Sequence, residues 1–84
     1  MSEKEIGTIT HYYGNINVGI IQLSDVLKVG ETIHIKGHST DFKQVVSSIQ
    51  VEHQNVEEAK AGALVGIKVE QRVHPHDKVF KVVS

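Results

Sequence analysis

The sequence predicts an all-β fold: a closed six-stranded antiparallel barrel of Greek-key type with one short helical turn. Apolar and polar residues alternate with a period of two in several short runs, which is typical of half-buried antiparallel strands. The connections between these runs are short and polar. An open sheet would leave two unpaired edges, and small all-β domains commonly avoid them by closing into a barrel.

The predicted strands follow the chain in order. The runs "EIGTITHYY" and "NVGIIQLSD" are rich in β-branched and aromatic residues and flank "GNIN", which suits a hairpin with positive φ. In "TIHIKG" and "ALVGIKVE" every second residue is Ile or Val, so these residues should point inward. The run "VVSSIQVEH" should place Val45, Ile49 and Val51 on the inner face, and "DKVFKVVS" supplies the last strand.

The segment "NVEEAKAG", from Asn55 to Gly62, predicts the helical turn. Asn55 can cap a first turn, Glu58 can reach back to it, and Gly62 fits a left-handed stop. Val56 and Ala59 would then face the core together. We expect one turn of α- or 3₁₀-helix there.

Length and composition limit the function classes. A chain of 84 residues predicts a single domain, residues 1–84, and the absence of cysteine excludes disulfides, thiolate metal sites and cysteine nucleophiles. Nine basic residues are interleaved with ten acidic ones, so charge indicates no particular partner. The charged start "MSEKEIG" lacks the apolar run of a signal peptide, and no segment approaches the roughly 20 apolar residues of a membrane helix. We therefore expect a cytoplasmic protein without a membrane partner.

The motifs "LKVGETIHIKG", "VSSIQVEHQNVEEAKAGALVGIKV" and "HDKVFKV" follow one another along the chain. Together they resemble the second, β-barrel domain of translational GTPases such as elongation factor Tu. The match runs from about Ile6 to Val83. Asp25 and Val26 stand where that family commonly has a glycine, and so does His76. The matching positions are Leu27, Lys28, Val29, Gly30, Glu31, Ile33, Val46, Ser48, Ile49, Ala59, Gly62, Val65, Gly66, Ile67 and the run "HDKVFKV".

This resemblance implies a stand-alone translation-factor-like module that contacts tRNA, the ribosome or a translation-associated protein. The chain has no "G-x-x-x-x-G-K-(S/T)" phosphate loop, so neither nucleotide binding nor GTP hydrolysis is implied. The chain also resembles the C-terminal domain of collagenase-like peptidases, a family tied to RNA hydroxylation. That likeness gives the alternative: a protein-interaction or assembly module, acting as a homodimer or as a detached accessory domain of such an enzyme.

The turn in "LKVGE" is interpreted as architecture. Gly30 should adopt a backbone geometry that strains other residues. Leu27 and Val29 should lie beneath the barrel end, and Glu31 should face water. The turn then fixes the register that places Ile33 and Ile35 inside.

Histidines are the obvious candidates for a metal site. His34 and His38 lie four residues apart, and His74 and His76 flank Pro75. Zinc requires three or four converging ligands, and nothing in these spacings guarantees convergence. The sequence therefore predicts surface histidines, with a weak metal site as the alternative and no cofactor.

Catalytic and nucleic-acid candidates are few. Ser47 and Ser48 are expected on a strand without a nucleophile elbow, and the adjacent Glu57 and Glu58 should point in different directions. Of the aromatic residues, one of Tyr12 and Tyr13 should face out and could stack on a base; Phe42 and Phe80 are the others. We expect no enzymatic activity, and the sequence assigns no binding residue.

Overall fold

A computed structural model of the chain describes residues 2–83. Ten strands occur within that range, and it contains no helix. The strands are β1 (Ser2–Tyr13), β2 (Val18–Leu23), β3 (Leu27–Lys28), β4 (Thr32–Lys36), β5 (Asp41–Val45), β6 (Ile49–Val51), β7 (Gln54–Val56), β8 (Glu58–Ala59), β9 (Leu64–Lys68) and β10 (Lys78–Val83).

The strands pair antiparallel in two sheets. The larger has the order β5-β4-β10-β1-β2-β9-β6-β7, and β3 pairs with β8 in the smaller. Apolar side chains from both sheets meet in one buried cluster, which includes Phe42 near one end of the strand order and Ile49 near the other. The larger sheet thus curves around a single core. The all-β antiparallel prediction is confirmed, whereas the backbone ladder of residues 2–83 ends at β5 and β7 and does not itself form a closed ring.

Three turns share one backbone pattern. Lys28, Lys60 and His74 each accept a hydrogen bond at their carbonyl oxygen from the N–H three residues later. The third residue of each turn has positive φ: 95° at Gly30, 91° at Gly62 and 76° at His76. This is the pattern of a type II turn, which favours glycine at that position and proline just before it, as with Pro75. The predicted geometry of Gly30 is confirmed.

Two tighter connections also use positive φ. Asn17, with φ of 56°, ends the β1–β2 hairpin, as the "GNIN" run predicts. Glu52 and His53, with φ of 53° and 66°, form the two-residue turn between β6 and β7. Such a two-residue turn usually carries Asn-Gly, because both positions need left-handed backbone. No turn dipeptide marks this hairpin in the sequence.

The prediction of a helical turn over residues 55–62 is wrong. Asn55 lies in β7 opposite Gln50, and Ala59 lies in β8 opposite Leu27. Ala59 is buried and Val56 packs against the core, so both face inward as predicted, but from separate strands. A single isolated helical turn is marginally stable, so the pairing with β6 and β3 overrides the local capping signal.

Strand β5 is the largest omission from the predicted set of six strands. Its inward residues are Phe42 and Gln44, and its outward residues include Val45, which is 53% exposed. A polar residue inside and an apolar one outside invert the pattern that identifies a strand. The prediction that Val45 faces inward is wrong; Val46 occupies the core instead.

Three smaller expectations also need correction. Ser47 and Ser48 lie in the connection between β5 and β6, not on a strand. Leu27 is buried as predicted, but Val29 is 40% exposed at the outside of its turn.

Glu31 is partly buried: its carboxylate accepts a hydrogen bond from the Lys28 N–H at 2.7 Å and lies 3.5 Å from the Lys81 ammonium. Ser84, the end of the predicted last strand, lies outside the described residues.

Buried polar groups fix the region around β5. The Gln44 side chain is 6% exposed; it donates to the Lys68 carbonyl at 2.8 Å and accepts from the Glu70 N–H at 2.8 Å. Asp77, 4% exposed, accepts a hydrogen bond from the His74 N–H at 2.9 Å. A side chain at Gly37 would overlap the Asp77 carboxylate, so only glycine fits there.

Candidate functional site

The outer face of β2, β9 and β6 carries a shallow groove of about 240 Å³. Its floor follows one row across three strands, because Ile20 pairs with Gly66 and Gly66 pairs with Gln50. All three residues point away from the core. The row therefore consists of the apolar side chain of Ile20, the position without a side chain at Gly66, and the side-chain amide of Gln50.

Gly66 makes this face concave. A Cβ atom at Gly66 would lie 3.3 Å from Val18 Cγ1 and 3.4 Å from Ile20 Cδ1, so any side chain would fill the floor. Its backbone φ is not in the left-handed region, unlike that of Gly30 and Gly62. Glycine at this position therefore leaves space instead of permitting a turn.

The walls of the groove are apolar and exposed. Tyr13, Ile16 and Leu64 are 46%, 58% and 53% exposed, and all three border it. Neighbouring elements supply them: Tyr13 ends β1, Ile16 lies in the β1–β2 turn, and Leu64 begins β9. The strained β6–β7 turn adds Glu52 and His53 at the rim.

The surface around His34 is polar, in contrast to the apolar groove. The His34 side chain is 12% exposed and lies between two carboxylates, with Nδ1 2.9 Å from Glu3 Oε2 and Nε2 hydrogen-bonded to Asp41. These residues join β1, β4 and β5. The hydrogen bond with Asp41 raises the pKa of His34, Glu3 adds to the effect, and partial burial opposes it. The same bond lowers the pKa of Asp41.

The predicted metal candidates do not converge. Within residues 2–83, no group of three or more His, Asp or Glu side chains has the arrangement of a metal site. Both ring nitrogens of His34 face carboxylates, His38 is exposed, and the Nδ1 of His74 lies 3.0 Å from the Thr40 hydroxyl. His76 occupies the positive-φ position of its turn.

The remaining candidates are dispersed. Glu57 lies at a bend and Glu58 on β8, both exposed. Of the tyrosines, Tyr13 is the more exposed and Tyr12 packs partly against the core, as the prediction that only one faces out requires. Phe42 is a core residue, which removes it from any stacking surface. Sequence reasoning missed the groove, although Ile16 is visible as an apolar residue within the polar run "GNIN".

No helix of the described chain has the length and hydropathy that crossing a bilayer requires.

Relatives of this chain include proteins described as a protease and as a collagenase. An uncharacterised protease of Methanocaldococcus jannaschii is 40% identical over 77 residues, which are 90% of this chain and 19% of that protein. A collagenase of Porphyromonas gingivalis is 32% identical over 78 residues, or 22% of its length. The chain thus spans about one fifth of the length of the curated relatives that it matches. No protein-family model matches it.

A solved structure has the same fold. The C-terminal domain of a protein from Geobacillus thermoleovorans described as a U32 peptidase superposes with a TM-score of 0.89 at 19% identity. The superposition covers 95% of this chain and 93% of that domain.

The resemblance to translational GTPases is overturned by these findings. The motif "LKVGE", which carried part of the resemblance, forms the turn at Gly30, and unrelated proteins that need positive φ in a similar turn can share it. The predictions of a translation-factor function and of RNA binding, which rested on that resemblance, are therefore wrong. The chain is similar in sequence to one fifth of an archaeal protease and a bacterial collagenase, and in fold to the C-terminal domain of a U32 peptidase.

Proposed function

We propose that this chain is a non-catalytic accessory domain that binds the catalytic part of a U32-type, collagenase-like peptidase. The catalytic part lies in the same polypeptide or in a separate one. The observation that carries the proposal is 40% identity over 77 residues confined to 19% of a protease. A matching segment of that size, with a fold also found in a C-terminal domain, supports a module of a longer protein.

The chemistry of the surface supports a binding role over catalysis. Nucleophilic catalysis needs a hydroxyl or thiol beside an oriented base. Ser47 and Ser48 form no hydrogen bond with a histidine or carboxylate among the described residues. The Thr40 hydroxyl lies 3.0 Å from the Nδ1 of His74, but Thr40 is only 4% exposed and is too buried to contact a substrate. The chain has no cysteine, and the groove holds one carboxylate, Glu52, which has no acidic neighbour in its lining.

Association with the rest of a related protease tests the proposal. The Methanocaldococcus protein, expressed without its 77-residue matching segment, would be mixed with this chain and followed by analytical ultracentrifugation. We expect a one-to-one complex at micromolar concentrations. A control mixture uses a β-sheet domain of unrelated sequence. Failure to associate, both as separate chains and as a fusion that replaces the native segment, contradicts the proposal.

The absence of catalysis is tested separately. This chain alone is expected to leave gelatin and fluorogenic peptides uncleaved across pH 5 to 9. Hydrolysis that persists through repurification and is lost on substitution of a groove residue would overturn the non-catalytic role.

We also propose that the curved sheet acts as a closed barrel, with side chains completing the closure. Gln44 on β5, one end of the ladder, bridges to Lys68, the last residue of β9, and to Glu70 just after it. Hydrogen bonds join Gly30 N–H to the Val46 carbonyl and Val46 N–H to the Glu31 carbonyl, at 2.8 and 2.9 Å, and these extend the β4–β5 pairing into the turn after β3.

A further inference from the structure

We propose that the groove lined by Tyr13, Ile16, Ile20, Leu64 and Gly66 is the surface on which the catalytic part of a U32-type peptidase docks. This inference rests on the proposed function and adds the face that makes the contact. The partner surface is inferred to be a convex apolar ridge with a basic side chain beside it.

Exposed apolar residues concentrate at this face. The structure exposes five large apolar side chains among the described residues, and Tyr13, Ile16 and Leu64 all border the groove. The other two, Val29 and Val45, do not. Single exposed apolar residues are ordinary on a protein surface, but a cluster around a concavity marks an interaction site.

The rim supplies a charge for recognition. Glu52 borders the groove and forms no ion pair with any described residue. Glu52 and His53 also hold left-handed backbone, at φ of 53° and 66°, where Asn-Gly would be unstrained. Backbone strain of this kind is commonly retained where the side chains have a role. A Lys or Arg on the partner would complement Glu52.

A second copy of this chain fits the groove poorly. Two identical concave faces related by a twofold axis leave a void between them, and they bring two Glu52 carboxylates to one interface. A stable dimer also buries about 800 Å² on each partner, which is roughly 15% of the 5188 Å² that this chain exposes. Three apolar side chains around a 240 Å³ groove cover much less than that.

A catalytic part in the same polypeptide has no such requirement. About four fifths of each relative lies outside the region that matches this chain. A covalent link gives the second domain an effective concentration of the order of millimolar, so a small patch suffices for docking. Interfaces between domains of one chain are accordingly smaller and more polar than those of obligate dimers.

Cysteine footprinting locates the contact. The chain has no native cysteine, so Leu64→Cys and Val45→Cys each introduce one thiol, at positions that are both 53% exposed. The probe is the Methanocaldococcus protein without its matching segment. In the complex we expect at least tenfold slower alkylation at Leu64→Cys and less than twofold slowing at the matched control Val45→Cys.

Affinity gives a second readout. The double variant Ile16→Ser/Leu64→Ser should bind the same probe at least tenfold more weakly, while Val29→Ser/Val45→Ser should bind like the original chain. Circular dichroism confirms folding of each variant. If complex formation slows alkylation at Val45→Cys and not at Leu64→Cys, the docking face is wrong. The same holds if alkylation slows at neither position. Either result leaves the proposed function intact.

Two further outcomes are decisive. Absence of association, both with the separate truncated protein and in the fusion that replaces its native segment, overturns the docking face and the proposed function together. Protection of Leu64→Cys in this chain alone, increasing with its concentration, would show that a second copy occupies the groove and would overturn the proposal.

Discussion

The β5 region buries polar side chains, whereas the groove exposes apolar ones. Around β5, Gln44 and Asp77 are buried and every hydrogen bond they make is to a defined backbone partner. In the groove, Ile16 and Leu64 are exposed and Glu52 has no ionic partner among the described residues. A buried, satisfied polar group contributes to the fold, whereas an exposed apolar group contributes nothing until something covers it. The first region is architecture and the second is available for recognition.

The largest expected effect is that of Gly37→Ala in the β5 region. The added methyl group overlaps the Asp77 carboxylate and displaces it from the His74 N–H. Overpacking together with a lost buried hydrogen bond should reduce the free energy of unfolding by about 3 kcal/mol. Urea denaturation measures this. The matched control in the groove is Gly66→Ala, where the nearest side-chain carbons are 3.3 and 3.4 Å away and a loss below about 1 kcal/mol is expected. Equal losses of unfolding free energy in the two variants would show that the β5 region and the groove do not differ in this respect.

Gln44→Ala should have the next largest effect. It removes two hydrogen bonds and leaves the Lys68 carbonyl and the Glu70 N–H without that partner, which should cost about 2 kcal/mol. The control is Gln50→Ala in the groove, whose amide donates to Asn55 at 3.2 Å on the surface. We expect Gln50→Ala to change the free energy of unfolding by less than about 0.5 kcal/mol. A thermal scan suffices, since about 2 kcal/mol corresponds to roughly 8–16 °C in a domain of this size.

Replacing the groove turn should stabilise the protein. Glu52→Asn/His53→Gly supplies the residues that prefer left-handed backbone, and we expect a gain of about 1 kcal/mol. The same double variant should weaken binding to the truncated archaeal protein, because Glu52 is lost. Stabilisation without any change in affinity would mean that the turn is only a structural connection.

The smallest effect is a pH dependence that arises from His34. Its folded pKa is raised above the ordinary 6.5, so the stability that it contributes is fully present below 6.5 and is lost as pH rises through the folded pKa. The pKa of Asp41 is lowered, so its contribution is lost only when pH falls below the ordinary 3.8 and through the folded value. The melting temperature of the original chain should therefore decline more between pH 6 and pH 9 than that of His34→Gln. His38→Gln, an exposed histidine variant, should follow the original chain. Parallel profiles for all three proteins would exclude His34 as the source.

The parts of the fold that sequence predicted are those with local causes. The alternation in "TIHIKG" and "ALVGIKVE" identifies β4 and β9 because each strand has one buried face. Gly30 was predictable because its turn requires positive φ. The segment from Asn55 to Ala59 was mispredicted, since a cap-like pattern is local while its pairing with β6 and β3 is not. Strand β5 was not predicted from the sequence because its polar Gln44 is buried and its apolar Val45 is exposed.

The groove was not predictable from sequence for a related reason. It depends on the register that aligns Ile20, Gly66 and Gln50 in one row across three strands. The alternation in "ALVGIKVE" places Gly66 on a strand, whereas Gly30 lies in a predicted turn. Only the pairing of the strands shows that Gly66 leaves space between Ile20 and Gln50.

The pairing of β1 with β10 places residues at opposite ends of the described chain side by side, with Ser2 opposite Val83. A domain whose ends leave from adjacent positions can be carried by a host protein at a single point on its surface, and it also tolerates circular permutation. A short linker between these ends, with new ends opened at the exposed Glu52–His53 turn, should give a chain that folds to the same sheet. Evolution can thus move such a domain between polypeptides, or release it from one, without redesigning its core.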